Sequence, residues 1–210
     1  MTASIKGRLS SNSNEWATPD SVYNPLDLEF GFSLDCAASP WNAKTPEFCS
    51  KEDDGLTADW YQKTVNGSVW NDRHRREQGY RGPTDHRLPA AWLNPPYGRA
   101  KDKNGKATGP PLLDPFIRKA YEESREGIVV VVLCFVRPDT ALWEETIMRA
   151  AEVRFIRSRV KFTQKDGTTG PAPAPSCIVI FSPHEDGPPD FSVWHRQDCT
   201  CQTCKEEKTA

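Results

Sequence analysis

The chain has 210 residues, of which 37% are hydrophobic and 27% are charged, and its net charge is −2. This length fits one sizeable domain, and the charge excludes attraction of the whole protein to nucleic acid, so any nucleic-acid site must be a local basic patch. The longest apolar run, Ile128 to Val136, is too short to span a membrane. A Ser/Asn-rich start without the apolar core of a signal peptide, and seven cysteines without an even framework, lead us to expect a cytoplasmic protein with no membrane partner.

The predicted elements begin after a polar leader, residues 1–14. Thr18 and Pro19 predict the N-cap and the first position of a short helix, whose free N–H groups would suit a carboxylate. A capped surface helix is the simpler alternative. Residues 32–39 then predict a short strand that ends in Asp35 and small residues, which is where an α/β sheet binds ligands. An ordinary turn containing Asp is the alternative at this point.

The next region is acidic and then basic. Residues 47–49 predict a second strand, and Asp54 after it is a candidate ligand for ribose hydroxyls or an adenine amine, or a solvated loop residue. Residues 61–89 are polar and charged and predict an inserted surface segment, either a loop or a short helical excursion. Its cationic cluster, Arg73 to Arg76, is a candidate phosphate contact or a solvated face.

The most informative motif follows a predicted strand at residues 90–93: Asn94-Pro95-Pro96-Tyr97. The side-chain oxygen of Asn94 and the next main-chain carbonyl can both accept hydrogen bonds from a planar exocyclic amine, drawing its nitrogen towards a tetrahedral geometry. Proline lacks an N–H and fixes φ, so the carbonyl is held rigidly, while Tyr97 offers a ring face to a base. These features suit an amine methyltransferase, although Asn-Pro also opens plain turns.

Residues 98–111 are rich in Lys, Gly and Pro and predict a loop beside this motif, where Arg99 and Lys101 would clamp a substrate strand. Further along, we expect a helix from Asp114 to Gly127 and a buried strand from Ile128 to Val136. A loop and helix cap at residues 137–140, ending in Thr140, precede a helix from Leu142 to Ala150, and strands follow at residues 153–156, 160–162 and 177–181. The last two strands predict a long hairpin. The alternation of strands and helices predicts an α/β fold with a largely parallel sheet and an antiparallel edge.

The polar C-terminal tail, residues 184–210, contains His195, Cys199, Cys201 and Cys204. Four soft ligands at short spacing can hold zinc. Because the cysteine spacing is not that of a standard finger, we assign no metal site and keep these four residues as the alternative.

Five motifs together resemble the phage-type, Dam-like DNA N6-adenine methyltransferase family. In chain order they are Trp16-x-Thr18-Pro19, Leu34-Asp35-x-Ala37-Ala38, Asp54-Gly55-Leu56 with Trp60, Asn94-Pro95-Pro96-Tyr97, and Ile156-x-x-Arg159-Val160-Lys161-Phe162. The resemblance implies a Rossmann-like, S-adenosyl-L-methionine-dependent methyltransferase domain at residues 15–183, with a mostly parallel seven-stranded sheet and an antiparallel edge hairpin. It also implies methyl transfer to N6 of an adenine flipped out of double-stranded DNA, in the cytoplasm of a bacterium or phage-infected cell.

The resemblance implies a role for each matching residue. Asn94, Pro95, Pro96 and Tyr97 would be catalytic. Trp16, Thr18, Pro19, Asp35, Ala37, Ala38, Asp54 and Asn94 would bind the cofactor. Arg99, Lys101, Arg157, Arg159 and Lys161 would bind DNA. The chain departs from the family pattern in the length of residues 61–89 and in Ser158, where the family has Gly.

Several alternatives remain open from the sequence. The same motif serves methylation of cytosine N4, RNA adenine or a protein glutamine. A DNA-binding module without catalysis, stabilised by zinc in the tail, is an alternative from another class. The target sequence, the oligomeric state and the presence of a paired restriction endonuclease, as in restriction-modification, are not determined by these motifs.

Overall fold

The computed structural model describes residues 16–77, 88–101 and 106–195, with the main chain alone at 69–77, 100–101 and 107–110. The helices are α1 (Asp20–Phe30), α2 (Trp60–Glu77), α3 (Leu113–Arg125) and α4 (Ala141–Glu145), the last followed by a 3₁₀ turn at Ile147–Arg149. The strands are β1 (Phe32–Asp35), β2 (Ala90–Leu93), β3 (Arg99–Lys101), β4 (Ala107–Pro111), β5 (Val129–Phe135), β6 (Glu152–Ile156), β7 (Lys161–Thr163), β8 (Thr169–Pro171), β9 (Ser176–Phe181) and β10 (Asp190–Trp194).

Six of these strands form the central sheet in the order β1-β2-β5-β9-β6-β10. β1, β2 and β5 pair in parallel, β9 runs antiparallel to both β5 and β6, and β10 pairs in parallel with β6. Five strands therefore point the same way, and their carboxyl ends lie along one edge of the sheet. The predicted α/β fold with a largely parallel sheet is confirmed.

Two details of the sheet differ from the expectation. The described residues contain six sheet strands rather than seven, and the antiparallel strand β9 lies inside the sheet because β10 adds a further edge. The predicted hairpin partner of β9 is also different. β7 pairs with β8 in a separate ribbon, since Gly167 at φ 84° turns the chain back and Gln164 N donates to Thr168 O at 2.8 Å.

Alternate residues of the strands fill two cores, one on each face of the sheet. On one face α1 packs its buried residues against β1, β2, β5 and β9: Val22, Tyr23 and Leu26 against Phe32, Trp92, Val131 and Ile178. On the other face α2, α3 and α4 cover Leu34, Ala91, Leu93, Val130 and Val132. The result is three layers with the carboxyl edge left open between helices, which is where the candidate site lies.

The interpretation of residues 61–89 as an inserted surface segment is wrong for their first part. α2 is an integral helix that connects β1 to β2 and packs on β1. The Ser33 hydroxyl donates to Thr64 O at 2.8 Å, and Gly67 lies so close to β1 that an added Cβ would sit 2.6 Å from Ser33 O. The polar sequence concealed this packing because α2 contacts the sheet through small residues; residues 78–87 lie outside the described part.

The boundary of the tail at residue 184 is also corrected. Asp190–Trp194 form β10, the outer strand of the main sheet, in register with β6 from Asp190↔Glu152 to Trp194↔Ile156. Only one side of β10 is paired, so Phe191 and Val193 are 52% and 60% exposed. An edge strand of this kind lacks the continuous apolar run that marks a buried strand.

Smaller differences concern element boundaries. α1 begins at Asp20 with Pro19 as the N-cap and no side-chain cap, so Thr18, the predicted cap, lies one position before the observed one. Residues 47–49 contribute one parallel bridge, Asp35↔Phe48, rather than a full strand, and residues 98–111 contain the β3–β4 ribbon instead of a plain loop. The predicted helix at 142–150 is shorter, ending in a 3₁₀ turn, while the predicted Thr140 cap is present. Within the described residues, no helix has the length and apolar character to cross a membrane.

Candidate active site

The predicted catalytic motif lies at the carboxyl edge of the central sheet. Asp35 ends β1, Asn94 follows β2 directly, and Phe135 ends β5, on three adjacent parallel strands. The register places Asp35 opposite Trp92, and Cys36 N donates to Trp92 O at 2.8 Å. Three chain segments, with Asp35 59 residues before Asn94 and Phe135 41 residues after it, therefore form one continuous rim.

One end of the Asn94 side-chain amide is hydrogen-bonded to the protein, and the other end has no partner among the described residues. Its Nδ2 donates to the main-chain carbonyl of Trp16 at 3.1 Å. Its Oδ1 is buried and accepts no hydrogen bond from any described residue. An acceptor without a partner costs about 1–3 kcal/mol, so a buried one marks a position where a donor is missing. An exocyclic amine is a donor that fits it.

Tyr97 is held against β5. Its hydroxyl donates to Leu133 O at 2.9 Å, and its ring stacks on Phe135 with centroids 4.2 Å apart and planes at 27°. Burial raises the pKa of Tyr97 well above its usual value, so the phenol stays neutral and keeps its proton for this bond. One ring face is thus occupied by Phe135, and the expected stacking with a base can use only the opposite face.

Asp35 is a buried carboxylate, 3% exposed, that binds two main-chain N–H groups. One oxygen accepts from Ala37 N at 3.4 Å and the other from Lys44 N at 3.1 Å. Burial raises the pKa of Asp35 to about 6, against the lowering effect of these hydrogen bonds and of the Lys44 charge. A cationic ligand group would stabilise its ionised form. Ala37 and its neighbour Ala38 are half-buried beside it.

The Asp54–Gly55 turn packs on the loop that follows Asp35. A Cβ on Gly55 would lie 2.8 Å from Cys36 O and 3.0 Å from the Phe116 ring, so only glycine permits this approach. Asp54 has φ 48° and is exposed, and its Oδ1 accepts from Leu56 N at 3.3 Å. The structure therefore brings the two predicted cofactor loops together.

A cation that was not identified from the sequence, Lys44, lies beside the start of α1. Lys44 Nζ lies 2.6 Å from Asp20 Oδ1, in the first turn of the helix, and 5.5 Å from the centre of the Tyr23 ring. Thr18 is buried and Pro19 half-buried beside this turn. Lys44 sits in an irregular loop, so no periodic pattern or motif could have identified it. Its position depends on the main-chain bond to Asp35.

The predicted DNA-binding cations fall into two groups, one just after the motif in the chain and one beyond the end of β6. Arg99 is exposed at the start of β3, and Lys101 ends that strand with its side chain outside the description. Arg157, Arg159 and Lys161 are exposed beyond the carboxyl end of β6, at the same edge as Asn94.

The turn that carries the second group of cations keeps the geometry of the family's glycine. Ser158 adopts φ 69°, a left-handed conformation that favours glycine. The Arg157 and Arg159 side chains also contact the protein, at His195 Nδ1 (3.4 Å) and Ala172 O (3.2 Å). The serine therefore preserves the turn at some conformational cost.

The alternative zinc site is only partly covered by the description. His195 is described, but Cys199, Cys201 and Cys204 lie outside the described residues. From residue 16 to 195, apart from the two gaps, no group of three or more His, Cys, Asp or Glu side chains is placed to hold a metal ion.

The residues at this edge fit S-adenosylmethionine. A buried carboxylate at Asp35 suits an ammonium group, the start of α1 with Lys44 suits a carboxylate, and the exposed Asp54 suits ribose hydroxyls. The close approach at Gly55 holds these loops together, and the unpaired Oδ1 of Asn94 remains for the second substrate.

Comparison with known proteins identifies the family to which the chain belongs. The sequence model of the family described as DNA N-6-adenine-methyltransferase (Dam) matches residues 7–73 and 85–204, which is most of the chain. A DNA N-6-adenine-methyltransferase from Haemophilus phage HP1 (strain HP1c1) is 26% identical over 179 residues, covering 82% of this chain and 81% of the phage protein. A Listeria monocytogenes structure assigned to the class I S-adenosylmethionine-dependent methyltransferases is 14% identical and has a TM-score of 0.45, over 96% of this chain and 72% of that one. The chain belongs to the DNA N-6-adenine-methyltransferase (Dam) family.

Proposed function

We propose that this DNA N6-adenine methyltransferase binds the reacting amine through Asn94 and takes its target from double-stranded DNA. The observation that carries the proposal is the buried, unpartnered Oδ1 of Asn94 at the carboxyl edge of the sheet. Oδ1 accepts one hydrogen of the adenine amine and the adjacent main-chain carbonyl of Pro95 accepts the other. The two bonds reduce delocalisation of the nitrogen lone pair into the ring.

Bound S-adenosylmethionine supplies an electrophilic sulfonium methyl group with a good leaving group. No strongly shifted general base is therefore needed, and Asn94 acts by orientation rather than by proton transfer. Pro95 and Pro96 restrict the backbone on which the two acceptors lie. The bond from Asn94 Nδ2 and the Tyr97–Phe135 stack fix the two ends of the motif on the sheet.

Positioning lowers the activation barrier by more than base flipping raises it. Flipping a base out of the stack costs a few kcal/mol. Alignment of two reactants can lower the barrier by roughly 7–11 kcal/mol. The gain from alignment therefore exceeds the cost of flipping, and stacking of the base on the free face of Tyr97 would add about 1–3 kcal/mol.

Charge at the same edge supports contact with DNA phosphates. Arg157, Arg159 and Lys161 follow β6 at the same sheet edge as Asn94, and Arg99 begins β3 two residues after Tyr97. Exposed cations are therefore available at this edge although the net charge is −2. Phosphate contacts made by such residues position a duplex without reading its sequence. We expect binding to weaken as salt rises.

The test is incubation of the protein with labelled S-adenosylmethionine and unmethylated duplex DNA, followed by nucleoside digestion and mass analysis. We expect N6-methyldeoxyadenosine from the wild type. Asn94→Ala should lose most of this product while retaining cofactor binding by calorimetry.

Asn66→Ala is the matched control, because Asn66 is exposed on α2. Near wild-type turnover in Asn94→Ala would show that the assigned role is wrong. N4-methylcytosine as the product, or activity only on RNA, protein or single-stranded DNA, would overturn the proposed substrate.

A further inference from the structure

We propose that the main-chain carbonyl of Trp16 is the positioning group for Asn94. This carbonyl determines which end of the Asn94 amide faces the adenine, and its own position is fixed by contacts with β7. The proposal rests on the proposed role of Asn94 as the acceptor for the amine. Trp16 itself acts through Asn94 and is a positioning residue.

The hydrogen-bond pattern allows only one orientation of the amide. With Nδ2 donating to Trp16 O at 3.1 Å, Oδ1 is the atom left over, buried and unpartnered among the described residues. Rotation of the amide by 180° would bring Oδ1 against Trp16 O, two acceptors with no proton between them. It would also present Nδ2, a donor, to the amine of the base. The carbonyl of Trp16 therefore keeps an acceptor, and not a donor, towards the substrate.

Trp16 is itself held by β7. Ala17 forms an antiparallel bridge with Thr163, with Ala17 N donating to Thr163 O at 2.8 Å and Thr163 N donating to Ala17 O at 3.3 Å. The Trp16 ring meets the Phe162 ring edge-on, with centroids 6.4 Å apart. The carbonyl of Trp16 consequently has a fixed place relative to β7.

This arrangement connects the candidate DNA contacts to the catalytic amide. Lys161 begins β7, and Arg159 lies two residues before it. From β7 the connection runs through the Ala17–Thr163 bridge to Trp16 O and then to Asn94 Nδ2. A displacement of β7 therefore moves the group that orients Asn94, so the turnover number at saturating cofactor should respond to a displacement of β7.

The first test is the pH dependence of Asn94→Asp. A protonated carboxyl at this position can donate to Trp16 O and still offer an oxygen to the amine, whereas an ionised carboxylate has no donor and is repelled by Trp16 O. We expect the ratio of kcat for Asn94→Asp to kcat for the wild type to fall tenfold per pH unit above the pKa of the introduced carboxyl. A ratio unchanged by pH, or no turnover at any pH, contradicts the proposal.

The second test observes the bond directly. In ¹⁵N-labelled wild-type protein, the side-chain amide signal of Asn94, identified by its absence in Asn94→Ala, should show slowed hydrogen exchange relative to exposed Asn66. Rapid exchange equal to that of Asn66 would overturn the proposed bond. This measurement needs no substrate, so it remains informative if no methylated DNA is formed.

The third test perturbs Trp16 through β7. Thr163→Pro removes the N–H that donates to Ala17 O, while the control Thr163→Val keeps it and removes only the hydroxyl. We expect Thr163→Pro to lower kcat at least tenfold at saturating cofactor, and to speed exchange of the Asn94 amide. Equal kcat in the two variants would refute the link to β7.

Failure of this inference can be separated from failure of the proposed function. Loss of product in Asn94→Ala, together with a pH-independent Asn94→Asp ratio, would retain Asn94 as catalytic and remove Trp16 as its positioning group. Full activity in Asn94→Ala would remove the catalytic role itself.

Discussion

The buried carboxyl of Asp35 should make the protein less stable as pH rises from about 4 to above 6. Its pKa in the folded protein is about 6, because burial at the end of β1 disfavours the charged form. In the unfolded chain the carboxyl regains its ordinary pKa near 3.8. Between these two values the folded state binds more protons than the unfolded state, so the free energy of unfolding falls with increasing pH.

The difference between the two pKa values sets the size of this effect. Each pKa unit corresponds to about 1.4 kcal/mol, so a shift of about two units is worth about 3 kcal/mol. The contribution is fully lost only above the folded pKa of about 6, and no further change is expected from Asp35 at higher pH. The main-chain donors Ala37 N and Lys44 N are already included in this balance.

Urea unfolding at a series of pH values, followed by tryptophan fluorescence, measures the effect against Asp35→Asn. Asparagine has no ionisable group. Its NH₂ group would face a main-chain donor, which changes the free energy of unfolding by an amount that does not depend on pH. The difference in free energy of unfolding between wild type and Asp35→Asn should therefore decrease by about 3 kcal/mol between pH 4 and pH 7.

Two results would refute the reasoning. A difference that is constant from pH 4 to pH 7 would show that Asp35 is not desolvated in the folded protein. A difference that increases with pH would show that Lys44 and the two N–H groups outweigh burial. The same linkage predicts tighter cofactor binding as pH rises through 6, absent from Asp35→Asn, if a cationic ligand group pairs with this carboxylate.

Substitutions at three further positions test individual features of the structure. Gly67→Ala should destabilise the protein by about 1–3 kcal/mol in urea unfolding, because the added Cβ would lie 2.6 Å from Ser33 O. Tyr97→Phe should cost about 1 kcal/mol of stability and reduce kcat, since the hydrogen bond to Leu133 O is lost while the ring stack is retained. Ser158→Gly should not lower the thermal midpoint, whereas Ser158→Val should lower it, because residue 158 has φ 69°.

Each of these predictions has a control. Asn66→Ala, on the exposed face of α2, should not destabilise the protein. If Asn66→Ala and Gly67→Ala lowered the free energy of unfolding equally, the cause would be a change in the helix itself and not the contact of Gly67 with β1. Unchanged kcat in Tyr97→Phe would show that the Leu133 bond does not position the motif. Greater stability of Ser158→Val than of Ser158→Gly would contradict the left-handed turn.

The elements that the sequence predicted well are those governed by short-range patterns. The apolar run of β5 and the strand before Asn94 follow from the burial of consecutive residues, and the Thr140 cap follows from local hydrogen bonding, with Thr140 Oγ1 accepting from Trp143 N. α2 was not recognised as a helix that packs on the sheet, and β10 was not recognised as a strand. Both contact the sheet through small or half-exposed residues, so their burial depends on neighbours that are distant in sequence.

The residues of the candidate site show the same difference between local patterns and distant contacts. Asn94 and Asp35 could be selected from the sequence because polar residues after apolar strands meet at one sheet edge. The partners that define their chemistry could not. Trp16 O on Asn94 and Phe135 on Tyr97 are contacts across long stretches of chain, and Lys44 reaches Asp35 through an irregular loop without a periodic pattern.

The sequence alone determined the class of fold, the family resemblance and the motif proposed to carry the reaction, because strand periodicity and the chemistry of Asn-Pro-Pro-Tyr are local properties. The tertiary structure alone decided the strand order, the buried state of Asp35 and the orientation of the Asn94 amide. Desolvation and hydrogen-bond direction depend on what surrounds a group in space. Only the packing of α1, the segment at Trp16 and β7 around the sheet edge supplies that environment.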